Sequence, residues 1–404
     1  MILRTSYLQQ IRPFMDSDLV KVLTGIRRSG KSVLLLQIQQ ELIERGVNPD
    51  QMIYLNFEDL SNYHLLNFLQ LHKEIKDRAS KIGKKVYLFF DEIQEVQGWE
   101  RCINSFRVEL DCDIYITGSN ARLLSGELAT YLTGRYIEIT VYPFSFREFM
   151  ELYQTINPES NEKECFSQYL HFGGMPYLSN LQYRKDPCRQ YLQEIYNSVQ
   201  LRDIIRRNNI RDADLLNRIL GFVMANAGNT ITAASISKFL KNENRSVSST
   251  SVLNYLEYCC EAFLIYKVPR DDLQGKKALK TMEKYYLADH GIRQAVLESN
   301  QRDIQLVLEN LVFLELKRRG YEVRIGKVGT KEVDFVGTKG GEKLYIQVSY
   351  LLASEQTIER EFGVFDEIQD NFPKMVVSMD ELDFSRNGCH HWNIRDFLLA
   401  EFWA

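Results

Sequence analysis

Hydrophobic and polar positions along this chain change period in blocks. Leu19-Val20-Lys21-Val22-Leu23 is an apolar run suited to a buried strand, and Val33 to Leu42 follows with a helical pattern. Met52 to Phe57 reads as a strand that ends in Glu58 and Asp59, and polar, helix-prone sequence runs on through Lys81. Val86-Tyr87-Leu88-Phe89-Phe90 and Cys112-Asp113-Ile114-Tyr115-Ile116-Thr117 are two further β-prone stretches. Strands alternating with helices over residues 1–150 predict an α/β domain built on a parallel sheet.

The pattern then changes. Leu215 to Phe222 begins a helix that Asn226-Ala227-Gly228-Asn229 ends, and Ile231 to Leu240 forms a second. Ser248-Ser249-Thr250 caps a third, Val252 to Tyr258. Ile265 to Pro269 and Lys284 to Ala288 read as strands around a polar tip, Gly275-Lys276-Lys277. Three helices followed by a hairpin is the order of a winged helix, placed within residues 160–295. In residues 296–404, an amphipathic helix at Gln305 to Gly320 precedes strands at Tyr321–Gly326, Lys331–Val336 and Lys343–Ser349. Helix, strand and final helix at Glu355–Phe362, Phe372–Asp380 and Ile394–Leu399 complete a second α/β layer.

At 404 residues the chain is long enough for two or three domains with their own cores. Its 45% hydrophobic and 26% charged content is that of an ordinary globular protein. The net charge of -4 excludes a uniformly basic nucleic-acid coat without excluding local patches. Seven scattered cysteines without a C-x-x-C pair suggest reduced thiols. No apolar run approaches the roughly 20 residues of a membrane span, and Met1 to Tyr7 lacks a signal-peptide core. These features point to a cytoplasmic protein with no membrane partner.

The chemistry begins at Gly25-Ile26-Arg27-Arg28-Ser29-Gly30-Lys31-Ser32, which reads G-x-x-x-x-G-K-S between a strand and a helix. Gly25 and Gly30 let the backbone turn so that N–H groups near Arg28, Ser29, Gly30, Lys31, Ser32 and Val33 face phosphate oxygens. Lys31 is placed to reach the β- and γ-phosphates, and the Ser32 hydroxyl to ligate Mg²⁺. The cofactors implied are ATP and Mg. Asp91-Glu92, ending an apolar strand, reads as a Walker B pair, with Asp91 for Mg²⁺ and Glu92 as general base. At the Thr117-Gly118-Ser119-Asn120 strand end, Ser119 and Asn120 are both candidates to orient the attacking water. Arg135 is a candidate arginine finger, in cis or offered to a neighbouring subunit, with Arg122 as its rival.

Together with Val141-Tyr142-Pro143-Phe144-Ser145-Phe146-Arg147-Glu148-Phe149, these motifs resemble a family of prokaryotic AAA-type P-loop ATPases. Members carry a C-terminal domain of unknown function that resembles a restriction-endonuclease fold. The resemblance implies an ATPase, with an AAA-type ring of identical subunits as one assembly. Phe172-Gly173-Gly174-Met175-Pro176-Tyr177 also looks like a family hallmark and reads as a structural helix junction. Glu309, Asp334 and Gln347 match the metal-ligand positions of the nuclease pattern, but Ser349 stands where its lysine belongs. The domain therefore reads as a degenerate nuclease fold. His390-His391 reads as a solvated loop pair.

Residues 202–280 hold 13 Lys and Arg against 8 Asp and Glu, a net of +5. Arg206 and Arg207 ahead of the helices, and Lys276 and Lys277 at the wing, are the candidate DNA contacts, with the third helix in the major groove. The sequence thus predicts an ATP-hydrolysing protein that engages DNA, duplex or branched. Two alternatives stand beside it: a nucleotide-dependent switch acting on a protein partner, and an ATP-dependent nuclease.

Overall fold

A computed structural model describes residues 2–121, 132–273 and 277–403, with the backbone alone for 277–281. By its contacts the chain divides into two compact units. One is residues 1–141 with 261–263, and the other is 142–260 with 264–404.

The first unit is built on five parallel strands: β1 (Val20–Thr24), β2 (Met52–Asn56), β3 (Val86–Asp91), β4 (Cys112–Thr117) and β5 (Tyr136–Thr140). Their order is β2-β3-β4-β1-β5. Both faces of the sheet are covered, which is why β3 is an uninterrupted apolar run rather than an alternating one. Val86, Leu88 and Phe90 pack on one face with Leu71 and Ile75 of the helix Phe68–Ile82 and Ile103 and Phe106 of the helix Trp99–Glu109. Tyr87 and Phe89 pack on the other, with Leu34, Leu35 and Ile38 of the helix Lys31–Glu44 and with Tyr7, Leu8 and Ile11 near the N-terminus.

One charged pair lies inside this sandwich. Lys21 of β1 and Asp113 of β4 form an ion pair with both side chains fully buried. Asp113 also accepts hydrogen bonds from Tyr115 Oη at 2.8 Å and from the Asp16 backbone N–H at 2.9 Å.

The second unit carries an eight-stranded sheet. Its strands are β6 (Thr230–Ile231), β7 (Ile265–Asp272), β8 (Lys277–Leu287), β9 (Glu322–Val328), β10 (Lys331–Lys339), β11 (Glu342–Val348), β12 (Lys374–Ser378) and β13 (Cys389–Asn393). The order is β13-β12-β11-β10-β9-β7-β8-β6. Helices Ala213–Ala225, Ala233–Asn242 and Ser249–Glu261 precede the β7–β8 hairpin, and β8 also pairs with β6. Lys277 is the first residue of β8 rather than part of the turn.

The three domains expected from sequence are not separated here, and strand pairing is the reason. β7 pairs in parallel with β9 through Arg270↔Ile325 and Asp272↔Lys327, so the hairpin and the C-terminal strands share one sheet. The helix Ile304–Arg318 also departs from expectation. It is not amphipathic but buried all round, with every residue from Val307 to Leu316 inside. Its polar members are satisfied internally, as when Asn310 Oδ1 accepts the Leu287 N–H at 2.7 Å.

Gly173 and Gly174 form the helix junction read from sequence. Gly173 has φ +76, and a Cβ there would lie 2.3 Å from Asp289 Oδ1. Asp289 in turn accepts the Gly174 N–H at 2.7 Å. His390 and His391 lie on β13 rather than in a loop, and the His391 ring is 2.9 Å from Ser378 Oγ. All seven cysteines are free thiols. Among the described residues no helix is long and apolar enough to cross a membrane.

Removing one partner of the buried Lys21–Asp113 pair strands the other charge. Asp113→Ala should therefore cost about 3–5 kcal/mol of stability, read from urea unfolding, while Asp113→Leu with Lys21→Met should cost less than either single change.

Candidate functional site

The C-terminal ends of β1, β3 and β4 meet where the apolar layers stop, because β4 lies between β1 and β3. β1 leads into the glycine loop. Gly25 has φ +131, and a Cβ there would stand 2.3 Å from the Val141 carbonyl oxygen, so no other residue fits. Gly30, at φ +99, precedes the helix Lys31–Glu44, whose first-turn N–H groups lack intrahelical partners. Arg28 and Val33 are exposed, Ser32 is half-buried and Ser29 is fully buried. Two arginines that sequence reasoning left unassigned brace the loop. Arg4 Nη1 donates to the Ser29 carbonyl at 3.2 Å, and Arg27 pairs with Glu58 at 2.9 Å.

Lys31 is nearly fully buried. Its Nζ donates to the carbonyls of Gly25 at 3.0 Å and Ile26 at 3.1 Å, and stands 3.9 Å from Glu92 Oε1. Asp91, 1% exposed, accepts from Thr117 Oγ1 at 2.6 Å and from Tyr54 Oη at 3.1 Å. Thr117 Oγ1 also accepts the Glu92 N–H at 2.8 Å, so one hydroxyl fixes both acids. Glu92 sits in left-handed backbone at φ +54. Burial raises its pKa, but Lys31, Gln94, Arg27 and a hydrogen bond with Ser119 together outweigh burial and hold its carboxyl below the ordinary value. Burial, then the charge of Asp91, pushes the Tyr54 phenol above its ordinary range.

The structure thus brings Lys31, Asp91, Glu92 and Ser119 into one cluster and adds Thr117, Tyr54 and Arg27. The T-G-S strand end was the one available signal for Thr117. The residues fit a nucleoside triphosphate. Ser29 Oγ is a buried hydroxyl with no hydrogen-bond partner among the described residues, set in a loop of glycine turns beside a buried ammonium. They fit Mg²⁺ as well, through hard oxygen donors in the Ser32 hydroxyl and the Asp91 carboxylate.

Arg135 is not brought to this cluster. Its carbonyl accepts the Val20 N–H at the start of β1, the end of the strand opposite Gly25, so a cis finger role does not match its placement. Arg122 and Lys276 lie outside the described residues, as does the side chain of Lys277. Arg206, exposed, and Arg207, paired with Asp203 at 3.9 Å, end the π-helical stretch Val199–Arg206 and its continuation.

In the second unit, the β9–β10 register shifts between Val333 and Val336, the stretch that carries Asp334. Gln347 does not present a free ligand, because its Oε1 accepts the Asp334 N–H at 3.2 Å. Ser349 turns away and donates to the Leu351 carbonyl at 3.4 Å. Sequence reasoning missed Lys284 of β8, whose Nζ lies 3.5 Å from Asp334 Oδ1 and 3.7 Å from Glu309 Oε2. Nothing in its local pattern distinguishes it from an outward strand lysine. Burial, then the charge of Asp334, raises the Glu309 pKa to about 8 against the pull of Lys284. Among the described residues no group of three or more His, Cys, Asp or Glu is arranged to hold a metal ion. A cavity of about 480 Å³ elsewhere in this unit is lined by His171, Lys185, Arg189 and Glu298, with Phe172 of the glycine junction, and includes none of the candidate catalytic, metal or DNA-contacting residues named above. Arg189 and Glu298 form an ion pair, so part of the charge in its wall cancels.

Comparison with known proteins agrees with the first unit's architecture. A family model described as an AAA domain matches residues 17–150, and one described as a domain of unknown function matches residues 163–303. An uncharacterized protein of Haemophilus influenzae is 38% identical over 94% of this chain and 93% of its own length. The uncharacterized protein MJ1544 of Methanocaldococcus jannaschii is 32% identical over 91% of this chain and 83% of its own. Among solved structures, the Thermotoga maritima RuvB Holliday junction branch migration motor matches at 14% identity, covering 66% of this chain and 89% of that one. Its TM-score of 0.35 is too low for a functional argument.

Glu309 gives a pH prediction. The unfolded carboxyl releases its proton near 4.5, the folded one near 8, so the folded chain holds the extra proton between them. This contribution to stability is full below pH 4.5 and is lost as pH rises through 8. Glu309→Gln should flatten that decline in thermal unfolding measured across the window.

Proposed function

This chain belongs to one family with the Haemophilus influenzae and Methanocaldococcus jannaschii proteins and carries an AAA domain, and from that premise we propose that it is a Mg²⁺-dependent ATPase. The observation that carries the proposal is the junction of Lys31, Asp91, Glu92 and Thr117 at adjacent strand ends. Lys31 and the loop N–H groups hold the triphosphate, and its arrival draws the ammonium off the loop carbonyls. Asp91 and Ser32 would hold Mg²⁺, which when bound would neutralise phosphate charge. Glu92, ionised, accepts a proton from the attacking water, and Ser119 orients that carboxylate. An arginine finger, if Arg135 supplies one, acts in trans within an oligomeric ring.

Lys31→Ala should abolish nucleotide binding, read with a fluorescent ATP analogue. Glu92→Gln should bind ATP while turnover falls about 10²–10⁴-fold, the range of a lost general base. Undiminished phosphate release in both variants overturns the ATPase reading.

For the second unit, helix order and the β6–β8 and β7–β8 pairings support a winged helix. The helix Ile304–Arg318, the β9–β10–β11 meander and parallel β12 support a degenerate restriction-endonuclease-like core. DNA engagement is supported by the local net of +5 and by exposed Arg206 and Arg211. A specific observation favours a protein partner instead. The third helix, Ser249–Glu261, contains no Lys or Arg, and exposes Ser249, Thr250, Leu253, Asn254 and Glu257.

Duplex, single-stranded and branched DNA decide between them. On the DNA reading, binding at low salt raises ATP turnover, and Arg206→Ala with Arg207→Ala reduces the log–log salt slope by about 2. Failure of all three DNAs to bind leaves the protein-partner switch as the reading.

A further inference from the structure

Three carboxyl groups of the second unit converge on one ammonium. Glu309 comes from the buried helix Ile304–Arg318, Glu332 and Asp334 from β10, and Lys284 from β8. Lys284 Nζ stands 2.9 Å from Glu332 Oε1, 3.5 Å from Asp334 Oδ1 and 3.7 Å from Glu309 Oε2, and the residue is only 4% exposed. Glu332 is shared with Arg270 of β7 at 2.9 Å, so both strands of the hairpin are tied to β10. Among the described ion pairs, Glu309 and Asp334 have no cation other than Lys284.

Converging carboxylates are how proteins hold divalent cations. Here the point of convergence is filled by a side chain. The oxygen distances are those of an ammonium, well beyond the roughly 2.0–2.6 Å of Mg²⁺ or Ca²⁺ ligation. The remaining donors are turned to structural use as well. Asp334 Oδ2 accepts the Val348 N–H at 2.9 Å, and Gln347 is held by the Asp334 N–H.

We infer that Lys284 takes the place of a divalent cation among Glu309, Glu332 and Asp334, so that this cluster is an internal clamp joining the hairpin to the C-terminal core and not a working metal centre. A tethered ammonium differs from a bound ion in two ways. It does not dissociate, so the hairpin stays docked whatever the metal concentration. It also lacks the open coordination position through which a metal would activate water. The inference is independent of the ATPase reading, because it concerns groups on the second unit alone.

The test is Mn²⁺ binding by the full-length, nucleotide-free chain, followed by electron paramagnetic resonance. Wild type and Asp334→Asn should give the same titration, since Asp334 holds no metal when Lys284 is present. Lys284→Met should gain one Mn²⁺, bound at least tenfold more tightly than any wild-type site, and adding Asp334→Asn should remove it. A wild-type site that Asp334→Asn abolishes overturns the inference, as does a folded Lys284→Met chain that titrates like wild type. Should Lys284→Met fail to fold, cleavage of duplex DNA decides. Mn²⁺-dependent cutting by wild type that Asp334→Asn abolishes overturns the clamp, and its absence with matching titrations upholds it.

Discussion

Burial of β3 on both faces is the constraint from which the first unit's chemistry follows. Val86, Leu88 and Phe90 fill one apolar layer and Tyr87 and Phe89 the other, so an unpaired charge along the strand would be prohibitively placed. The first position where carboxylates are tolerable is the strand's C-terminal end, and Asp91 and Glu92 occupy it. Even there they are nearly fully buried, and Thr117, Tyr54 and Lys31 make that possible. The chain accepts left-handed backbone at Glu92, a strain of order 1–3 kcal/mol, and this places the acid against Lys31 instead of continuing the strand.

Two buried lysines answer two different needs. Lys31 donates to two carbonyl oxygens and stands 3.9 Å from Glu92 Oε1, and on the ATPase reading an incoming phosphate offers it a charge-assisted partner in place of the neutral carbonyls. Lys284 has one carboxyl group at 2.9 Å and two more within 3.7 Å; burial lowers its pKa, but Asp334, Glu309 and Glu332 outweigh burial and leave it above the ordinary value. No neutral ligand or single anion offers it more than it has. By this comparison the P-loop is open to exchange and the β8–β10 cluster is saturated.

Local pattern exposed the first unit well. The G-x-x-x-x-G-K-S loop and the apolar strand ending in Asp91-Glu92 report their own geometry, because both are written in consecutive residues. What stayed hidden depends on pairing between distant segments. Tyr54 and Thr117 reach Asp91 across β2–β3 and β3–β4 registers, and no spacing rule records that. Arg135 was a candidate by residue type, yet β5 runs parallel to β1, which sets Arg135, just ahead of β5, at the end of the sheet opposite Gly25. The second unit was read as separate modules because helices and hairpin have clear boundaries, while the β7–β9 pairing that merges them joins residues over fifty positions apart. Lys284 was hidden for the same reason.

The charge of a segment is a weaker guide than the placement of its charges. The net of +5 over residues 202–280 suggests a basic surface, but much of it is answered within the fold. Arg218 pairs with Asp214 and Glu243, Arg245 with Asp212 and Asp214, Lys267 with Glu283, and Arg270 with Glu332. Pairs at this exposure add little stability, but they fix the side chains and cancel the field a phosphate would feel. The third helix, where a groove-binding module needs its donors, has hydroxyls, an amide and an exposed leucine. Among the described residues of the segment, the exposed basic side chains include Arg206 and Arg211 ahead of the helices and Lys238 and Lys241 on the second helix, positions suited to holding a backbone without reading bases.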